Sequence, residues 1–179
     1  ADGSWRPCGD YRRLNLVTVP DSYPIPNMMD FSAKISGCKI FTKIDLRKGY
    51  HQIEMNEDDI PKTAITTPFG LFEYTRMTFG LRNAGNTFQR LMDRVLSEVE
   101  PAFAYLDDVL VSSPDTSQHE LDVRQTLQAL QAAGLVINED KCVFGATELD
   151  FLGHHITADG ITPLSSSIAA IRDYPRPST

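Results

Sequence analysis

The sequence predicts an α+β domain in which an antiparallel sheet carries helices on one face. Short turns join runs of β-branched and aromatic residues, two segments have the apolar spacing of helices, and strands and helices do not alternate as in βαβ units. Hydrophobic residues make up 41% of the 179 residues, which is enough for a buried core. No apolar run reaches the roughly 18 residues of a membrane span, so no membrane partner is predicted.

The predicted strands lie mainly in hairpins. The first has the composition of a buried strand, with Ile40, Phe41 and Ile44, and it ends near Asp45. A later strand pair has only Asp107-Asp108 between its members. The predicted set is 38–46, 51–55, 62–67 with 71–76, 102–106 with 109–112, and 148–156 with 160–162.

Helical spacing is clearest in residues 86–99, where Phe88, Leu91, Met92 and Val95 belong to one apolar stripe. A second helix is predicted to run from Ser117, where Glu120 completes a capping-box pattern, to a stop at Gly134. Shorter helices are predicted at 27–36 and 165–174. Residues 19–26 contain three prolines and are expected to be extended or irregular.

The net charge of −7 is unevenly distributed along the chain. Residues 1–50 hold eight Lys and Arg against five Asp and Glu, whereas residues 91–179 hold five against fourteen. The first part could contact phosphates and the acidic part could hold cations, although ordinary charge scatter gives the same totals. Three widely spaced cysteines without a CxxC pair predict reduced thiols in an intracellular protein, not a zinc site.

Two acidic positions stand out because their neighbours are apolar. Asp45 ends a predicted strand, and Asp107 and Asp108 form the expected hairpin tip. Such carboxylates are costly unless solvent or a cation compensates them. Mg²⁺ prefers carboxylate oxygens, and two such ions about 3.5–4 Å apart can catalyse phosphoryl transfer. Each position taken alone is also typical of an ordinary turn or strand end.

Five motifs follow one another along almost the whole chain. They are Trp5-Arg6 with Asp10-Tyr11-Arg12 and Leu14-Asn15, residues 41–53 (FTKIDLRKGYHQI), residues 79–84 (FGLRNA) with Thr87-Phe88-Gln89, Tyr105-Leu106-Asp107-Asp108, and Phe151-Leu152-Gly153-His154. In content and order this set resembles the reverse transcriptases of gypsy-type LTR retrotransposons.

The resemblance implies a polymerase palm, an antiparallel sheet backed by helices, together with partial fingers. Residues 1–37 and 51–78 would form the partial fingers, and residues 38–50 and 79–163 the palm with its primer-grip hairpin. Residues 164–179 would be the truncated start of a linker or thumb. Since the family's lysines before Asp2 are absent and the thumb would begin near Thr179, we expect the isolated chain to be a weak polymerase.

The resemblance also implies a metal site. Asp45 and Asp107 would hold two Mg²⁺ ions, with Mn²⁺ as an alternative, and Asp108 would support them. The adjacent His154 and His155 are not expected to bind a metal, because neighbouring strand residues face opposite sides.

Roles in substrate binding come from the same resemblance. Arg6 would contact the incoming triphosphate, Tyr50 would lie under the sugar and screen out a 2′-hydroxyl, and Phe79 would lie beside the nucleotide. Leu152 and Gly153 would position the primer end. The alternatives are that Tyr50 is a core residue, that Arg6 is a surface arginine stacked on Trp5, and that Asp10 and Arg12 are a fold-stabilising pair.

The implied activity is that of an RNA-directed DNA polymerase, a nucleotidyltransferase. Its partners would be an RNA or DNA template with primer, a deoxynucleoside triphosphate, and the RNase H, protease and integrase of a Pol polyprotein, in a cytoplasmic particle. The alternatives are a catalytically silent, decayed or domesticated fragment that only binds nucleic acid or protein, and a calcium-stabilised binding module, for which no dense run of oxygen ligands is present.

Three positions depart from the family pattern. The family usually has proline where this chain has Thr78 and Gly85, and a hydrophobic residue where it has Gly9. These departures suggest a diverged or decaying copy, and none of them affects the three aspartates.

Overall fold

The computed structural model describes residues 8–174. The strands are β1 (Ile40–Asp45), β2 (Ile65–Thr67), β3 (Gly70–Phe72), β4 (Ala102–Tyr105), β5 (Asp108–Ser113), β6 (Val143–Ala146), β7 (Glu148–Phe151), β8 (His154–Thr157) and β9 (Gly160–Pro163). The α-helices are α1 (Arg12–Val17), α2 (Met28–Ile35), α3 (Ala84–Val95), α4 (Thr116–Ala132) and α5 (Ser165–Arg172). Short 3₁₀ helices occupy Gly49–Gln52, Glu57–Thr63 and Glu139–Lys141.

The central sheet has four strands in the order β4-β5-β1-β6, and its three neighbouring pairs are antiparallel. Two smaller antiparallel sheets consist of β2-β3 and β7-β8-β9. The predicted α+β class with an antiparallel sheet is therefore confirmed.

Each face of the central sheet has its own core. Ile44 and Val109 lie in one core with Phe88 and Met92 of α3 and Leu130 of α4, which are all fully buried or nearly so. On the opposite face, the buried residues come from the sheet, from α2 and from the β7–β9 sheet: Phe31, Ile35, Phe41, Phe103, Leu110, Leu149, Phe151 and Ile156. The expectation that the helices lie on one face of the sheet is therefore wrong, because α2 packs on the face opposite α3 and α4. Short strands and a short helix give little indication in the sequence of what they pack against.

The two long helices were predicted with shifted ends. Helix α3 begins at Ala84 instead of Asn86 and ends at Val95 instead of Val99. The predicted capping box at α4 is wrong, since Asp115 is the N-cap residue and its carboxylate accepts a hydrogen bond from the backbone N–H of Gln118. An aspartate earlier in the chain satisfies the free N–H groups better than Ser117 would, because it carries the charge that the helix N-terminus favours.

Two predicted strands are corrected. Residues 148–156 form a hairpin and not one strand, because the chain reverses at Leu152 and Gly153, whose φ angles are 48° and 77°. The segment 51–55 forms part of a 3₁₀ turn and one isolated bridge between Glu54 and Arg76. Helix α1, strand β6 and the 3₁₀ helix Glu57–Thr63 were not predicted.

A buried polar network joins α4 to the central sheet. His119 Nε2 lies 2.7 Å from Thr42 Oγ1, and its Nδ1 lies 2.8 Å from Ser113 Oγ. Ser113 gives its single hydroxyl proton to Asp122 over 2.6 Å, so it accepts from Nδ1–H of His119, while Nε2 accepts from Thr42. Burial lowers the pKa of His119.

Within residues 8–174, none of the helices combines the length and apolar character needed to cross a membrane.

Candidate active site

The three aspartates singled out from the sequence meet at one end of the central sheet. Asp45 at the end of β1 lies directly opposite Asp108 at the start of β5, and Tyr105 flanks Asp108 on the other side. The backbone N–H of Leu46 donates to the carbonyl of Asp107 over 3.0 Å. The hairpin tip therefore consists of Leu106 and Asp107, one residue earlier than predicted, and Asp108 is a strand residue.

The conformation of this hairpin tip is held by helix α3. Leu106 has a φ of 53°, in the left-handed region that residues other than glycine rarely adopt. Its N–H donates to Oε1 of Gln89 over 2.9 Å, and Nε2 of the same side chain donates to the Ala104 carbonyl over 3.0 Å. Gln89 is fully buried and so ties the hairpin to α3 on both sides of the turn. The sequence placed Gln89 in a motif but did not indicate this contact.

Gly49 allows a close approach of the loop after β1 to the hairpin. A Cβ at Gly49 would lie 2.8 Å from the Cβ of Asp107, which is closer than real Cβ atoms approach one another. Any side chain at this buried position would displace Asp107 or the loop. This role of Gly49 was not predicted from the sequence. The one signal that could have indicated it is the presence of a glycine directly before Tyr50 in the motif.

Two lysines balance part of the negative charge. Lys43 Nζ lies 3.4 Å from Asp108, and Lys141 Nζ lies 3.7 Å from Asp45. Burial, together with the charges of Asp108 and Asp45, raises the pKa of Asp107. The ionised form of Asp107 is therefore incompletely compensated by the protein, and a bound cation would stabilise it.

The carboxylates of Asp45 and Asp107 suit a hard cation that takes its remaining coordination ligands from water and substrate. Among residues 8–174, no three His, Cys, Asp or Glu side chains are arranged to hold a metal ion together. Mg²⁺ does not need such a cage, since it commonly uses one or two carboxylates and takes its other ligands from water and substrate phosphates. Asp45 and Asp107 provide that kind of donor set.

Tyr50 and Phe79 form an aromatic cluster beside the aspartates. Their ring centroids lie 5.2 Å apart, and Tyr50 also meets Phe88 edge-on at 5.6 Å. Burial, then the charge of Asp107, raises the pKa of Tyr50. Tyr50 is thus half-buried, as the core interpretation expects, and close to Asp107, as the sugar-contact interpretation expects.

Leu152 and Gly153 form the turn between β7 and β8. Leu152 lines an open cavity together with Tyr105, Pro26 and Asn27, so this turn lies next to the hairpin that carries Asp107.

The remaining candidate contacts lie near the N-terminus. Arg6 lies outside the described residues. Arg12 and Asp10 form an ion pair of 2.6 Å, which holds the pKa of Asp10 at about 2. Both side chains are exposed, so this pair contributes little to the stability of the fold.

Comparison with known proteins identifies the family. Residues 1–156 match the family described as reverse transcriptase (RNA-dependent DNA polymerase). This chain belongs to the reverse transcriptase family. It is 46% identical over 170 residues to the retrovirus-related Pol polyprotein from transposon 297 of Drosophila melanogaster, and 36% identical over 178 residues to the transposon Tf2-3 polyprotein of Schizosaccharomyces pombe. The expectation of a reverse transcriptase from an LTR retrotransposon is thereby confirmed.

These alignments cover 94% and 98% of the reverse transcriptase chain but only 16% and 13% of the two polyproteins. Among solved structures, a foamy viral protease-reverse transcriptase in complex with double-stranded DNA superimposes with a TM-score of 0.89 at 24% identity, over 98% of this chain and 31% of the other. This likeness confirms the polymerase palm fold. Members of the family generally use divalent metal ions.

Proposed function

We propose that this chain is the fingers-and-palm part of an enzyme that copies an RNA or DNA template into DNA with Mg²⁺. The observation that carries the proposal is the meeting of Asp45, Asp107 and Asp108 at one end of the sheet in a chain of the reverse transcriptase family. In the reaction the primer 3′-hydroxyl loses its proton to solvent, and its oxygen forms a bond to the α-phosphate of a deoxynucleoside triphosphate. The bond from the α-phosphate to the bridging oxygen breaks, and pyrophosphate leaves.

In this reaction Asp45 and Asp107 would hold the cations, and Asp108 would support them from the adjacent strand position. When bound, two divalent ions lower the pKa of the attacking hydroxyl and stabilise the leaving oxygens. The protein contributes a fixed geometry: the Gln89 hydrogen bonds and the close approach of Gly49 hold Asp107 beside β1. Such preorganisation and charge stabilisation account for most of the catalysis of phosphoryl transfer.

Substrate selection would depend on the groups around these aspartates. Tyr50, backed by Phe79 and Phe88, would lie under the incoming sugar, and Phe79 itself beside the nucleotide. Arg6 would contact the triphosphate, for which a permanently charged guanidinium is suited. Leu152 and Gly153 would support the primer end, a role that agrees with the proximity of Leu152 to Tyr105.

We extend the proposal to domains and partners. Residues 1–37 and 51–78 would be partial fingers, residues 38–50 and 79–163 the palm, and residues 164–179 the start of a linker or thumb. The foamy viral relatives were solved with double-stranded DNA and with an RNA/DNA hybrid, which supports a primed template as partner. The Pol polyprotein names of the relatives support a Pol polyprotein as the context of this chain, and we propose that it also contains protease, RNase H and integrase domains.

The test is incorporation of deoxynucleotides by the full-length protein on a primed RNA template, measured against Mg²⁺ concentration. We expect template-directed extension that requires Mg²⁺ and is not supported by Ca²⁺ at the same concentration. Binding of the primed template without any extension would contradict the proposal and favour a silent, decayed or domesticated copy.

A further inference from the structure

Lys43 lies between the aspartates and the core on the same face of the central sheet. In β1 it is two residues before Asp45, so both side chains leave the strand on one face. Its direct neighbours across the strands are Leu110 of the buried core in β5 and the exposed Val143 in β6. The Lys43 side chain is only 26% exposed.

The ammonium group of Lys43 has two neighbours. It lies 3.4 Å from Oδ1 of Asp108 and 6.0 Å from the centre of the Phe151 ring, the outer limit of a cation–π contact. Phe151 is almost completely buried, packs against Phe31 at 5.3 Å and directly precedes Leu152. Lys43 thus connects Asp108 with the strand that leads into the β7–β8 turn.

An electrostatic reason for this contact follows from the register. Asp45 and Asp108 are directly opposite each other, and like charges in that arrangement destabilise a sheet. Both carboxylates have a lysine partner, but the two lysine side chains differ in how far they can move. The Lys141 side chain is 66% exposed and can move away at little cost, whereas that of Lys43 is confined by the sheet and the core.

We propose that Lys43 is a positioning residue that acts through Asp108. It is a fixed counter-ion that holds Asp108 toward Phe151 and thereby joins the aspartate cluster to the β7–β8 turn. This inference rests on the proposed polymerase function. It has a distinctive consequence: loss of the Lys43 charge makes the site more negative and strengthens cation binding, yet it releases Asp108 and slows DNA synthesis.

The experiment compares Lys43→Met, Lys43→Gln and Lys43→Arg with the wild type in the full-length protein. Mn²⁺ binding without nucleic acid is measured from the electron paramagnetic resonance signal of free Mn²⁺, and the site is defined as the binding that Asp107→Asn removes. Single-nucleotide extension gives kcat and the KM for primed template. Lys39→Met is the matched control, since it removes the same charge at an exposed position just before β1.

We expect Lys43→Met and Lys43→Gln to bind Mn²⁺ about three- to tenfold more tightly, as expected for one charge removed at short range. Their kcat should fall about tenfold, which corresponds to about 1.4 kcal/mol. Lys43→Arg and Lys39→Met should resemble the wild type in both measurements.

Unchanged or weaker Mn²⁺ binding in Lys43→Met and Lys43→Gln would overturn the inference, and so would a kcat equal to that of the wild type. If Lys43→Met does not fold, Lys43→Gln provides the same comparison with a polar side chain. A wild-type protein that neither binds Mn²⁺ at Asp107 nor extends primers would refute the proposed function itself, which keeps the two failures distinct.

Discussion

Thr78 carries a buried hydroxyl without a hydrogen-bond partner among the described residues. The sequence suggested that this position departs from a family proline, and the structure shows a local cost of having threonine there. We expect Thr78→Val to raise the free energy of unfolding by about 1 kcal/mol, because it removes an unsatisfied polar atom and keeps the shape. Urea unfolding measures this change.

Thr63 provides the matched control. Its hydroxyl is also buried but donates to the Ile60 carbonyl over 2.6 Å and accepts from Tyr74 N–H over 2.8 Å. Thr63→Val should therefore lower the free energy of unfolding by about 1–2 kcal/mol. If Thr78→Val lowers the free energy of unfolding as Thr63→Val does, the hydroxyl of Thr78 has a hydrogen-bond partner in the folded protein.

Tyr50 allows a test of sugar selection. Tyr50→Val should raise the use of ribonucleotides relative to deoxyribonucleotides, because the ring is expected to fill the space of a 2′-hydroxyl. Tyr50→Phe keeps the ring and should keep the discrimination. The measurement is the ratio of kcat/KM for the two sugars with each variant, and an unchanged ratio in Tyr50→Val would leave Tyr50 as a core residue only.

At this scale the sequence could predict residue types but not their contacts. Asp45, Asp107 and Asp108 were found because they lie in ordered motifs. Gln89, Gly49 and Lys43 act on the hairpin through contacts between segments far apart in the chain, and no local pattern reports such an approach.

At the scale of the elements, two glycines near the hairpin differ in the space available for a side chain. A Cβ at Gly49 would meet Asp107 at 2.8 Å, whereas one at Gly85 in α3 would have its nearest neighbours at 3.7 Å. Gly85→Ala should therefore stabilise the protein through helix propensity, by less than the roughly 0.5–1 kcal/mol of a helix interior because Gly85 lies in the first turn of α3, with little effect on synthesis. Gly49→Ala should instead lower stability by about 1–3 kcal/mol, as overpacking does, and slow nucleotide incorporation.

Thermal unfolding and single-nucleotide extension of the two variants check this pair. A Gly49→Ala protein with wild-type stability and rate would show that the loop and the hairpin tip can separate without consequence.

Element boundaries followed the sequence only where periodicity was strong. The apolar stripe predicted α3 to within a few residues, and the β-branched run predicted β1. The break at Leu152 and strand β6 could not be predicted, since the first needs a left-handed leucine and the second contains Gly145 with a φ of 62° and pairs with β1 in an irregular register. Tertiary packing decides both.

The whole molecule should respond to pH through His119. Its pKa lies below the ordinary value of 6.5 because it is buried between α4 and the sheet. As pH falls below about 6.5, the unfolded chain takes up the proton first, so stability decreases down to the folded pKa. We expect the melting temperature to drop between pH 7.5 and pH 5.5, and less so in His119→Gln.

His155 is the control, with the opposite sign. The hydrogen bond to Asp150 raises the pKa of His155, so its contribution is present below pH 6.5 and is lost as pH rises through the folded pKa. Because the His155 side chain is partly exposed and both of its carboxylate partners are exposed, this contribution to stability is small, and His155→Gln should show an equal or slightly larger drop in melting temperature on acidification. If the melting temperature of His119→Gln depends on pH as that of the wild type does, His119 is not the group responsible for the loss of stability on acidification.

At the scale of the whole chain, the fold class and the polymerase palm were accessible from the sequence, because the five motifs occur in order over almost all residues. The second layer formed by α2 and the β7–β9 sheet was not, since its elements are short and lack a strong pattern of their own. That layer brings Leu152, which we propose to support the primer end, next to Tyr105.

The central claim is that Asp107 holds a cation for DNA synthesis, and Asp107→Asn in the full-length protein tests it most directly. Asn keeps the size and removes a charge that the protein compensates incompletely, so the fold should remain and the free energy of unfolding should not decrease. Asp159→Asn makes the same change in the exposed β8–β9 turn and should leave Mg²⁺-dependent extension of a primed RNA template at the wild-type rate. We expect Asp107→Asn to abolish this extension; a rate above about a tenth of the wild type, a loss of less than about 1.4 kcal/mol, would show that Asp107 does not hold the cation.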